Sequence, residues 1–168
     1  MAVHTQNQTI RALKGGVVAG LVAGAALSVL LAVMNAIHGR DVLRGLKFPG
    51  VPLLGPRALE PGFDHVAIVI GQVSHLGVSM FWGVTFALLF YGLGKGMTLL
   101  AGAFWGIVSF IVMLYAVMPM IGFPAGGRGS VLTAIIEHVV FGVILGAAFL
   151  PFQREIPSVP RHRPTPQH

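Results

Sequence analysis

Glu137 and His138 stand side by side at the start of EHVVFGVILGAAFLPF, a segment otherwise made almost wholly of apolar and small residues. A second histidine, His75, sits within SHLGVSMFWG, another apolar stretch. Imidazole and carboxylate exchange protons and ligate divalent metals, so three uses are open. His75 and His138, from facing helices, are candidate axial ligands of a b-type haem. His75, Glu137 and His138, with His38 or His65 as further donors, are a candidate set for zinc or another divalent metal. The same groups are a candidate pH-responsive cluster, because burial and neighbouring charge move the point at which histidine titrates. Each use competes with a packing role. Glu137 suits the positive end of a helix close to the headgroups, and His75 suits a core histidine bonded to Gln72 or Tyr115.

No Ser/His/Asp spacing, phosphate-binding loop or nucleotide fingerprint occurs, so no catalytic residues are expected and no cofactor is the simplest state. Cysteine is absent, which excludes disulfides, thiolate metal sites, iron–sulfur clusters and covalently attached haem.

The elements that must position these groups follow from composition. Of 168 residues, 55% are hydrophobic and only 10% charged, and mean hydropathy is +0.82. Soluble domains carry about 25% charged residues, so lipid rather than water must face most of this surface. Four apolar runs, about 15–37, 66–92, 97–121 and 131–150, reach the roughly 20 residues a spanning helix needs. The alternation of a membrane barrel strand is absent. The expected fold is an all-α membrane protein with four transmembrane helices in an antiparallel bundle. The first run is longer than a signal-peptide core and lacks a clear cleavage site, so it is expected to persist as a span.

Outside the spans, residues 1–14 read as a polar lead and 153–168 as a Pro-rich, basic, disordered tail. The loop 38–65 is the longest connection. Its GRDVLRGLK segment suits a short interfacial helix, whereas FPGVPLLGPRALEPGF carries four prolines and is expected to be irregular. The pI near 10.9 points to anionic lipid rather than nucleic acid, because the basic residues fall in loops and tails. Six Lys+Arg lie on the side of the termini and five on the other, so the expectation of cytoplasmic termini is a weak one.

Small residues set the packing. Gly16, Gly20, Gly24 and Ser28 recur every fourth position on the first span; Gly83 lies on the second, Gly102 and Gly106 on the third, Gly142 and Gly146 on the fourth. Such strips let backbones approach where no hydrophobic force drives helices together. His75–Ser79–Gly83 and His138–Gly142–Gly146 share one spacing, which suggests two repeated helical hairpins. Both histidines therefore point inward. Counting depth along the spans places Asn35, Gln72, His75, Tyr115, Glu137 and His138 in one half of the membrane, as a polar vestibule opening toward the first and third loops.

The Gly-laddered first helix, FALLFYGLGK after the His-bearing second, LLAGAFWG opening the third, the PMIGFP exit and the EH-bearing fourth together resemble the YagU-like family. The resemblance covers roughly residues 15–152. It implies a four-helix bacterial inner-membrane protein of unassigned activity, with a link to acid tolerance and with His75, Glu137 and His138 as matching positions. Two other roles stay open: an accessory or haem-carrying subunit of a larger membrane complex, and a small homo-oligomeric transporter.

Overall fold

Hydrocarbon offers a backbone N–H or C=O no partner but its own helix, and the apolar runs fold accordingly. The computed structural model describes residues 2–122 and 130–153, with side chains from residue 6. The first helix, α1, is Ala2–Ile37. The loop carries two single-turn helices, α2 (Arg44–Lys47) and α3 (Val51–Leu54). The second span is α4, His65–Phe90. The third is α5, Lys95–Val112, which passes through a π turn at Met113–Val117 into α6, Met118–Met120. The fourth is α7, Val131–Phe149, finished by a 3-10 turn at Leu150–Phe152. Among the described residues four helices are long and apolar enough to cross a membrane, and the chain is a multi-pass membrane protein.

Two expectations about the connecting chain need correction. The lead before residue 15 is not a separate segment: α1 runs 36 residues from Ala2, about 54 Å at 1.5 Å per residue, so its first turns stand outside a ~30 Å hydrocarbon layer. Nothing in TQNQTIRALK breaks a helix. The long loop is not irregular either. It winds through α2, a 3-10 turn at Phe48–Gly50, α3 and a second 3-10 turn at Gly55–Leu59. Pro49, Pro52 and Pro56 each fall in the first turn of one of these pieces, where a missing N–H has no cost and the fixed φ suits the helix. The expected basic tail and the FPAG of the third loop lie outside the described residues.

The helices pack as two pairs, α1 with α4 and α5 with α7, and α1 also lies along α7. Both pairs cross where glycine meets backbone. A Cβ on Gly20 would strike the Ser79 carbonyl, and one on Gly83 the Gly16 carbonyl. In the second pair Gly102 and Gly142 face each other's carbonyls, and Gly106 faces that of His138. Gly24 packs on the Ser79 side chain and Gly146 on the Thr98 carbonyl. Between the pairs, an aromatic cluster fills the half of the bundle nearest the α4–α5 turn. Trp82 and Trp105 meet edge to face at 5.5 Å, Phe86 and Phe149 at 5.7 Å, and Trp105 Nε1 donates to the Trp82 carbonyl.

That end is tied shut by Gln153, which is buried. Its amide donates to the Phe90 carbonyl and Thr98 Oγ1, and its Oε1 accepts from Gly92 N at 2.7 Å. One side chain thus joins the end of α4, the turn, the start of α5 and the exit of α7.

Gly142→Ala is expected to cost at least about 1–3 kcal/mol, since the added methyl meets backbone rather than a movable side chain. Gly96→Ala, with nothing within 4 Å of its added Cβ, is expected to cost nothing. Thermal unfolding in detergent compares the two.

Candidate functional site

The half of the bundle opposite the aromatic cluster is not filled. Here α1, α4, the α5–α6 segment and α7 line a cavity of about 790 Å³. Its walls are mostly apolar, among them Leu31 of α1, Val73 and Val78 of α4, Phe110 of α5 and Val117 of the π turn. Asn35, His75, Glu137 and His138 line it as well. Val73, Gly77 and Val78 are exposed on the outer face of α4 while lining the cavity, so the gap beside α4 reaches the lipid-facing surface.

The π turn belongs to this opening. Pro119 has no N–H, and its ring clashes with the carbonyl four residues back, at Tyr115, in a regular helix. The chain widens instead over Met113–Val117, and Met113, Leu114 and Val117 of that turn line the cavity. The depth count that places Tyr115 in the vestibule does not say which way the side chain faces, and the π turn includes this residue. Tyr115 is 66% exposed and lies outside the cavity, which corrects its expected place in the vestibule.

Gln72 is also displaced from that expectation. It accepts from Ser28 Oγ at 2.9 Å and donates to the Leu46 carbonyl at 3.1 Å, so it ties α1, α4 and the loop together rather than lining the cavity. His75 is partnered by neither Gln72 nor Tyr115: its Nε2 donates to the Gly24 carbonyl of α1 at 3.2 Å. His138 donates from Nδ1 to Ala134 O one turn back, at 2.8 Å, and its ring meets Phe110 edge to face at 5.5 Å. Glu137 is half-buried, and among the described residues its carboxyl makes no hydrogen bond or ion pair.

These geometries test the ligand sets. Paired axial histidines each need one ring nitrogen for the iron while the other donates. His138 keeps Nε2 free while Nδ1 donates, and His75 keeps Nδ1 free while Nε2 donates, so the two rings would present different nitrogens to an iron. Among the described residues no three His, Asp or Glu side chains gather closely enough to hold a metal ion, so the expected set of His75, Glu137 and His138 is not assembled as a cage. His38 and His65 are exposed and lie outside the cavity.

The cavity is roofed by the long loop, through Arg44, Gly45, Phe48 and Pro49. A buried lysine holds the roof. Lys47 is 1% exposed and directs its ammonium to Asp41 Oδ2 at 3.2 Å, to Gly62 O at 2.7 Å and to the Glu60 carbonyl. Three donors thus find three acceptors, the condition under which a buried cation is tolerated. Burial pushes the Asp41 carboxyl up, but the Leu43 N–H, the Lys47 ammonium and the Gly62 N–H outweigh it and hold the carboxyl below its ordinary value. Gly71 of α4 lets the loop lie close, since a Cβ there would strike the Leu46 carbonyl. At the loop's far end Arg57 pairs with Asp64 through two bonds, at 2.7 and 3.1 Å. Asp64 also caps α4, accepting from Val66 N and Ala67 N. The Arg57 guanidinium, helped by these amides, brings the Asp64 carboxyl down to about 2.

Comparison with family models, with curated proteins and with solved structures returns no match.

Lys47→Met is expected to cost about 3 kcal/mol, because Asp41 and two carbonyls lose their cation. Hydrogen exchange should then quicken across residues 44–59 before it quickens in the spans. Asp64 gives a second outcome. Its folded-state value is depressed, so its stabilisation is present above the unfolded value near 3.8 and fades as pH falls toward about 2. The stability difference between the wild type and Asp64→Ala should therefore be full at pH 7 and shrink between roughly pH 4 and 2, as read from unfolding midpoints.

Proposed function

We propose that this protein is a non-catalytic, multi-pass membrane protein whose one-sided cavity is a proton-responsive vestibule centred on Glu137, with His75 and His138 beside it. The observation that carries the reading is the state of Glu137: a carboxyl lining a cavity within a span with no partner among the described residues, while the neighbouring histidines are each anchored by a backbone carbonyl. A charged group within a span costs on the order of 2.5–3.5 kcal/mol at mid-bilayer, so such groups are rare and mark functional sites. The charged and titratable groups that face the cavity are Arg44 from the roof, His75 from α4 and Glu137 and His138 from α7; the described parts of α1 and α5 bring no charge to it. Protonation there alters the charge of a space shared by four spans and the loop.

The YagU-like resemblance is part of this proposal, and its acid-tolerance link points the same way. A bacterial inner membrane with cytoplasmic termini belongs to it too, and puts the cavity's roof on the periplasmic face.

Infrared difference spectra over a pH titration are expected to contain a carboxyl band that disappears in Glu137→Gln and shifts its midpoint in His138→Gln. A wild-type spectrum in which every titrating carboxyl survives the Glu137→Gln change would remove the basis of the reading.

A further inference from the structure

The polar chemistry of the cavity is lopsided. His138 gives its Nδ1 proton to Ala134, which leaves a lone pair on Nε2. His75 gives its Nε2 proton to Gly24, which leaves the lone pair on Nδ1. An ionised Glu137 only accepts. The imidazoles and Glu137 therefore offer acceptors and one negative charge, while Asn35 and Ser74 on the same lining can donate as well as accept but carry no charge. The one permanent cation on the lining, Arg44, is an exposed residue of the roof. Around this centre the walls are apolar, the volume falls in the range of small-molecule sites, and the gap beside Val73 and Val78 admits molecules dissolved in the bilayer.

A carboxylate in such a place calls for a proton or a cation, and among the described residues no lysine or arginine pairs with it. We propose that the cavity binds hydrophobic ammonium compounds: an amine on an alkyl or ring body, entering from the lipid beside α4. Its N–H donors meet Glu137 and the free nitrogen of His138, and its body lies along Leu31, Phe110 and Val117. This rests on the vestibule reading, since it takes Glu137 as the ionisable centre of the cavity.

The test uses the full chain in nanodiscs of zwitterionic lipid and three probes that share one chain: dodecylammonium, dodecanol and dodecanoate. Equilibrium dialysis against empty nanodiscs measures retention by the protein. Dodecylammonium is expected to bind saturably and at least about tenfold more tightly than the other two, the scale of one charge-assisted hydrogen bond. Glu137→Gln is expected to abolish that preference. Val73→Trp, on an exposed position at the gap, is expected to weaken binding with the thermal midpoint unchanged. Equal retention of the three probes overturns the proposal, as does a preference that survives in a folded Glu137→Gln protein. If the infrared band of Glu137 titrates while no ammonium is retained, the ligand assignment fails and the vestibule stands. If the band is absent as well, both fail.

Discussion

Backbone lying on backbone at glycine is the contact on which this bundle depends. In lipid, two apolar helices gain little by hiding leucines from a solvent as apolar as they are. What remains is dispersion and close approach, and these require that Cβ be missing at the crossing. Gly16, Gly20 and Gly83 meet this need between α1 and α4, and Gly102, Gly106 and Gly142 between α5 and α7. The two crossings make two stiff pairs. How the pairs then meet is a matter of side chains: tryptophan and phenylalanine fill one half, and a cavity occupies the other.

The same solvent explains the economy of polar contacts. Ser28 and Gln72 satisfy one another and reach Leu46; Trp105 finds Trp82; both inner histidines find carbonyls. No fully buried side-chain polar atom among the described residues lacks a partner. The half-buried Glu137 makes no such contact among the described residues, and it lies on the cavity wall. The roof follows a related logic at the interface. Lys47 is buried because Asp41, Glu60 and Gly62 surround its ammonium, and the same contacts fix a proline-rich loop that has no long helix of its own.

Much of the architecture was legible in the chain. Spans of about 20 apolar residues admit one backbone conformation in hydrocarbon, and a period of four marks a seam whatever the partner. The inward placement of His75 and His138 followed from the rungs they occupy. Tyr115 shows where counting fails: depth along a span says nothing of facing, and a π turn before Pro119 sets the direction there. The loop prolines were read as breakers, because sequence does not reveal that each begins a new turn. Asp64 before an apolar run is a cap signal that was available and passed over. Gln153 and Lys47 carried no comparable signal, since their partners are distant carbonyls.

By itself the sequence determined the solvent, the number of spans, the faces on which they pack and the small set of ionisable residues forced among them. Those properties are local: they depend on hydrophobicity, period and the absence of Cβ. The tertiary structure decided which half of the bundle is full, that a cavity opens beside α4, and that the Glu137 carboxyl lines it with no partner among the described residues. These depend on the angle between helix pairs and on contacts between residues far apart in the chain, such as Gly24 with His75 and Lys47 with Gly62, which no local pattern records.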